Sequence, residues 1–121
     1  MTVAYMASPY TRYPRGIEAA FIDASKLAAR LIQAGVSVYS PIAMTHPIAT
    51  YGGIDPLDQQ LWYAFDQAMM EKCDVLIVAH MEGWEQSTGV AHEIAFFLER
   101  GRDIFDLDPV SLSMVKRRPG L

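Results

Sequence analysis

Cysteine is almost missing from this 121-residue chain. Cys73 stands alone, so no internal disulfide can form, and a zinc site built on several thiolates is excluded. A basic excess is missing as well. Ten Lys and Arg against fourteen Asp and Glu leave a formal charge of −4. That is the opposite of the basic stripe a duplex-binding protein presents, so nucleic acid is not expected as a partner. The one basic cluster, Lys116-Arg117-Arg118, reads as a solvated tail. No stretch approaches the ~18–20 apolar residues that span a bilayer, and no segment at the start has the make-up of a secretory signal. A soluble, cytoplasmic protein without a membrane partner is expected. The three histidines follow no zinc spacing, and neither a Walker A loop, a three-glycine dinucleotide fingerprint nor a Gly-x-Ser-x-Gly elbow occurs. The residues call for no metal and no cofactor.

What is present is core material. Half of the chain is hydrophobic (51%), enough for one packed domain over residues 1–121. Thr2–Met6 reads as a short buried strand. From Gly16, Ile17, Ala20, Phe21, Ala24, Leu27, Ala28 and Leu31 recur at helical steps until Gly35. Val36–Ser40 alternates with period two and gives a second strand. Residues 41–56, with three prolines and two glycines, read as a long loop with at most one short helical turn. Asp55-Pro56 reads as an N-cap and first helical position, opening a helix to about Lys72. Asp74–Ala79 is the β-branched run of a central parallel strand. A turn over His80–Gln86 leads to Ser87 as N-cap of a helix that ends at Gly101. Asp103–Asp106 is a last strand, and Pro109–Lys116 reads as a terminal helix. This order predicts an α/β, Rossmann-like fold: an open parallel sheet of four to five strands with helices on both faces. Ligands in such sheets sit beyond the C-terminal strand ends, at the switch in strand order. Segments 7–15, 40–55 and 80–93 therefore converge on one crevice.

Each segment has a plain and a functional reading, and the sequence leaves both open. Arg12 and Arg15 precede a helix N-terminus and suit a phosphate or sugar hydroxyl; they equally suit an ordinary surface. Asp74 reads as an acceptor for local backbone. Asp66, mid-helix one turn after Trp62, either faces solvent or reaches into the crevice beside an aromatic wall. Glu93 lies one turn after Gly89, in apolar surroundings, and is either paired structurally or poised for chemistry. His46 sits on the long crevice segment.

Several of these elements, taken in order, resemble the nucleoside 2-deoxyribosyltransferase superfamily, flavodoxin-like domains that cleave or exchange N-glycosidic bonds. The resemblance rests on Ala4-Tyr-Met-Ala-Ser-Pro-Tyr10, Val38-Tyr-Ser-Pro41, Asp66 with Asp74-Val-Leu-Ile-Val, and Ser87-x-Gly89-x-x-x-Glu93. It is nearest to a group of short uncharacterised members. It implies Glu93 as nucleophile, Tyr5 as the tyrosine that orients it, and Asp66 as the carboxylate facing the base. Ser8, Tyr10, Arg12, Arg15, His46, Trp62, Ser87 and Gly89 would bind substrate. Serine at position 87, where the transferase branch carries aspartate, favours hydrolysis of a nucleoside 5′-monophosphate over base exchange. The implied partner is a small nucleoside or nucleotide, and the implied assembly a homo-oligomer, dimer or tetramer, whose neighbouring subunits complete the pocket. The competing reading is a non-catalytic nucleotide-binding or regulatory module on the same fold.

Overall fold

The computed structural model describes residues 2–118. Five strands form one sheet: β1 (Ala4–Ala7), β2 (Val38–Tyr39), β3 (Val75–Ala79), β4 (Ile104–Leu107) and β5 (Met114–Lys116). Their order is β2-β1-β3-β4-β5; the first four run parallel, and β5 returns antiparallel to β4. Four helices accompany them: α1 (Ile17–Gln33), α2 (Pro41–Gly52), α3 (Gln59–Lys72) and α4 (Thr88–Glu99). The fold is α/β with an open, mostly parallel sheet, as the periodicities predict, and it is flavodoxin-like, as the resemblance implies.

Side-chain alternation along the strands sorts the core into two layers. Ala4, Met6, Ile77, Ala79 and Leu107 face the α1 side, against Ala24, Leu27 and Leu31. Tyr5, Ala7, Leu76, Val78 and Ile104 face the α4 side, against Val90, Phe96 and Phe97. A strand buried on both faces reads as a continuous apolar run, which is what β3 shows. The chain steps from β1 to β2 on one side, then crosses back to β3 on the other. The switch point is thus the gap above β1 and β3.

Three segments differ from their sequence reading. Residues 41–52 are a twelve-residue helix, not a loop. Ser40 is its N-cap, with Oγ accepting from the Ala43 amide at 3.4 Å, and Pro41 takes the first turn, where its missing N–H costs nothing. The helix escapes periodicity because it is apolar on two sides. Ile42, His46 and Ala49 are buried, while Met44, Ile48 and Tyr51 stay exposed. Asp55 does not start α3 either; its Oδ1 holds the Leu57 amide in a preceding turn, and Asp58 caps the helix through the Leu61 amide.

The expected terminal helix is a turn and strand β5. Asp108 Oδ1 accepts from the amides of Val110 and Ser111, a local bond that competes with helix formation, and Leu112 adopts φ 64° to close the turn. Nor is the basic cluster wholly a solvated tail. Arg117 makes a two-pronged contact with Asp106 at 2.9 Å for each bond, and Lys116 lies 3.3 Å from Asp103. Asp106 also meets His80 Nε2 at 2.7 Å. Together, the Arg117 fork first and His80 after it hold its carboxyl below the usual carboxylate range, while partial burial pulls the other way.

Phe97 is fully buried between Tyr5 and Phe96, whereas Val115 is 64% exposed on β5. Phe97→Ala is expected to lower unfolding stability by about 3–5 kcal/mol through lost burial and the cavity left behind. Val115→Ala should stay within about 0.5 kcal/mol. Urea denaturation at constant slope checks both; equal effects would contradict the two-layer packing.

Candidate active site

The three strand-end segments do meet, in a cleft of about 430 Å³. Ser8, Tyr10, Thr11 and Arg12 form one wall, Pro41, Ile42 and Thr45 of α2 a second, and Trp62, Tyr63 and Asp66 of α3 a third. Ser87, Thr88, Gly89 and Glu93 of α4 close the fourth side.

Glu93 is buried on the second turn of α4, above the strand that carries Tyr5. Burial pushes its carboxyl up to about 8; the Tyr5 hydroxyl opposes that shift and the Asp66 charge adds to it. Tyr5 is fully enclosed, tilted against Tyr39 at 5.7 Å and Phe97 at 6.2 Å. Its hydroxyl faces Glu93 but stops short of full hydrogen-bond geometry, and Tyr5 Oη has no completed partner. Burial, then the carboxyls of Glu93 and Asp66, push its ionisation far up, so it stays a neutral donor. Asp66 does reach the cleft rather than only solvent, and burial pushes it to about 6. Tyr39, half-buried and facing Asp66, is pushed up to about 12, by burial first and then by the Asp66 charge.

Buried polar groups in folded proteins are almost always hydrogen-bonded. Among the described residues, the buried side-chain atoms without a partner are Tyr5 Oη, Ser8 Oγ and Asp66 Oδ1. Ser8 and Asp66 line the cleft, whereas Tyr5 is sealed beneath it and faces Glu93. The two cleft-lining orphans therefore lie where a ligand can satisfy them.

The helix head adds a further set of polar groups. Ser87 Oγ accepts from the Val90 amide at 3.2 Å, which leaves its own proton free to donate. A Cβ placed on Gly89 would meet only Ser87 Oγ, at 3.8 Å, which is ordinary contact. Packing within the chain does not demand glycine there. Gly83 is different. It adopts φ 88°, and a Cβ on it would strike the Arg12 carbonyl oxygen at 2.8 Å. This close approach locks the 8–12 wall against the turn that precedes α4.

Two residues expected at the site lie elsewhere. Arg15 is exposed, pairs with Asp23 and donates to the Tyr13 hydroxyl at 3.0 Å, away from the cleft. An aspartate within reach claims its guanidinium. His46 is buried behind the Tyr10 wall, because α2 is a helix and turns its ring toward α1. Asp74 has the structural, backbone-accepting role expected of it, but its partner is not local: it accepts from the Val3 amide at 2.7 Å, just before the neighbouring strand β1. Reasoning from residue patterns missed Ile42 and Thr45, which needed the helical reading of α2, and Tyr63 and Gln59, which only the register of α3 aims inward. Trp62 is fixed by donation from Nε1 to the Asp55 carbonyl at 2.9 Å.

Residues 2–108 match the family described as a domain of unknown function (DUF1937), and the chain belongs to that family. No curated protein matches the chain. No helix among the described residues is long and apolar enough to cross a membrane.

Burying an unpaired carboxyl has a consequence for stability. In the unfolded chain Glu93 titrates near 4.5, in the folded protein near 8. Between those values the folded state holds more protons, so stability falls as pH rises through the window. Glu93→Gln removes the ionisation. It should raise the melting temperature by several degrees at pH 8.5 and change it little at pH 4.5, read by thermal scans at both values. An equal shift at both pH values would contradict the burial of an unpaired acid.

Proposed function

We propose that this member of the family cleaves the N-glycosidic bond of a nucleoside or nucleoside 5′-monophosphate, by hydrolysis rather than base exchange. The carrying observation is the buried carboxyl of Glu93 and the half-buried carboxyl of Asp66 in one cleft, where the Ser8 hydroxyl and one Asp66 oxygen have no partner. Breaking a C1′–N bond builds positive charge on the sugar, which a carboxylate beneath the ring stabilises and captures as a glycosyl ester. Glu93 takes that role, and Tyr5 holds its carboxyl in place. Asp66 gives a proton to the departing base, with Trp62 and Tyr63 as the aromatic wall beside it. Water then opens the ester from the face the base has left, giving net retention. A pure binding module needs no buried, unpaired acid, whose burial costs stability.

Glu93→Gln keeps the shape but cannot form the ester. Release of free base from a panel of nucleosides and 5′-monophosphates should fall at least ~10³-fold while the fold persists. Near-normal release would remove Glu93 from the reaction, and binding without release in the wild type would favour the non-catalytic module. The kcat/KM profile should be a bell with limbs near 6 and 8, the values burial sets for Asp66 and Glu93. Glu93 must lose its proton while Asp66 keeps one, so at the optimum only about a hundredth of the free enzyme is in the productive form.

Arg12 is the arginine that lines the cleft, and no acid among the described residues pairs with it. With the donor hydroxyl of Ser87 it suits a 5′-phosphate, which an aspartate at 87 would repel. A charge-assisted fork of about 1.5–3 kcal/mol corresponds to a roughly ten- to hundredfold preference for the monophosphate. Arg12→Ala should erase that preference; Arg15→Ala should leave it intact. The reverse pattern, or equal rates in the wild type, would remove the phosphate from the proposal. The reading also carries self-association, since Met44, Ile48, Tyr51, Leu57 and Leu61 leave apolar surface exposed around α2 and the start of α3, with Leu57 in the cleft lining. Sedimentation should show a dimer or tetramer, and a monomer at micromolar concentration would refute it.

A further inference from the structure

Tyr10, His46 and Glu18 have no part in the steps above, yet they form a connected chain. The Tyr10 hydroxyl meets His46 Nδ1 at 2.6 Å, and His46 Nε2 meets Glu18 Oε2 at 2.7 Å. Phe21 stacks on the imidazole at 4.6 Å and 21°, and Tyr10 meets its edge at 5.8 Å. These are the groups around the ring from the 8–12 wall and from α1, and they fix its plane. Glu18 as a carboxylate can only accept, so Nε2 carries the proton in the neutral ring. Nδ1 then offers a lone pair, and Tyr10 must donate to it. Tautomer, orientation and direction are all set. The chain runs from a residue in the cleft wall to a carboxyl that is 71% exposed.

A hydroxyl bonded to an imidazole, itself oriented by a carboxylate, is the arrangement that activates a weak acid for proton transfer. We propose that Tyr10, His46 and Glu18 are a second acid–base unit of the cleft, acting on the water that opens the glycosyl ester. The proposal rests on the glycosidase reading given above. As the bond from water oxygen to C1′ forms, the bond from C1′ to Glu93 breaks and the Glu93 carboxylate is restored. The water proton passes to Tyr10 Oη while the proton of Tyr10 passes to His46 Nδ1. Glu18 stabilises the resulting imidazolium. The same hydroxyl then returns the proton to the Asp66 carboxylate, which had given its own to the base. Tyr10 is the member in the cleft; His46 and Glu18 are positioning residues that act through it.

The two half-reactions separate the relay from a packing role. Tyr10→Phe keeps the ring and loses only the hydroxyl. Glu18→Gln changes an exposed side chain that contributes little to the core. Base release is followed by rapid quench and in the steady state, on whichever member of the nucleoside and 5′-monophosphate panel the wild type cleaves, with mass spectrometry of Glu93. In both variants a burst of about one base per site should persist while steady-state turnover falls, at least about tenfold for Tyr10→Phe. Glycosylated Glu93 should accumulate. Wild-type turnover in both variants, or burst and steady state falling together, would overturn the relay alone. If the wild type releases no base from any member of the panel, the glycosidase reading itself fails, and the relay falls with it.

Discussion

The cleft is organised around one uncomfortable placement: the carboxyl of Glu93, buried on α4 with no cation among the described residues beside it to balance a charge. Burial of this kind is tolerated when the group stays protonated or is compensated, and here it stays protonated up to about pH 8. The surroundings follow from that. Tyr5 must sit beneath it as a neutral donor, and it is fully buried on β1 with its ring against Tyr39 and Phe97. Asp66 lies close enough that its charge raises both Glu93 and Tyr5. Such an arrangement subtracts from stability above its titration range, and the two core layers have to supply the surplus.

The walls around that placement are held by contacts far less costly than a buried charge. Gly83 lets the turn before α4 touch the backbone of Arg12, and Tyr10 is pinned from behind by His46. The far end of α3 is tied down by Arg102, which donates to the carbonyls of Met70 and Cys73, and by Arg100, which donates to the Phe96 carbonyl and to Glu71. The front of α3, which carries Trp62, Tyr63 and Asp66, has the Tyr63–His92 stack at 4.7 Å as its tie to α4.

Arginine placement divides the surface in a similar way. Arg15, Arg30, Arg100, Arg102 and Arg117 all have intramolecular acceptors: Asp23, the carbonyls of residues 109 and 110, Glu71, the carbonyls at the end of α3, and Asp106. Among the described residues, Arg12 lines the cleft without such an acceptor. For an acidic chain, that local positive charge is the feature on which the proposed phosphate contact rests.

The sequence by itself determined the four parallel strands, three of the helices and the convergence of strand ends. Those follow from local chemistry, namely period-two and period-3.6 burial, Ser87 as a cap, and Gly35 as a stop. It also marked Glu93, Asp66 and Gly89, because a carboxylate amid apolar neighbours and a bare helix turn are visible as anomalies in a pattern. Other features became decidable only in three dimensions. Helix α2 carries apolar residues on two sides, one buried on α1 and one open, so no single period reveals it. Strand β5 exists because Asp106 recruits Arg117 from across a turn that Asp108 organises, a pairing of residues eleven apart. The fate of Arg15 and of His46 depended on partners in α1, Asp23 and Glu18. A side chain's charge is written in the chain, but which neighbour neutralises it is settled by packing, since every competing acceptor is equally near until the helices dock.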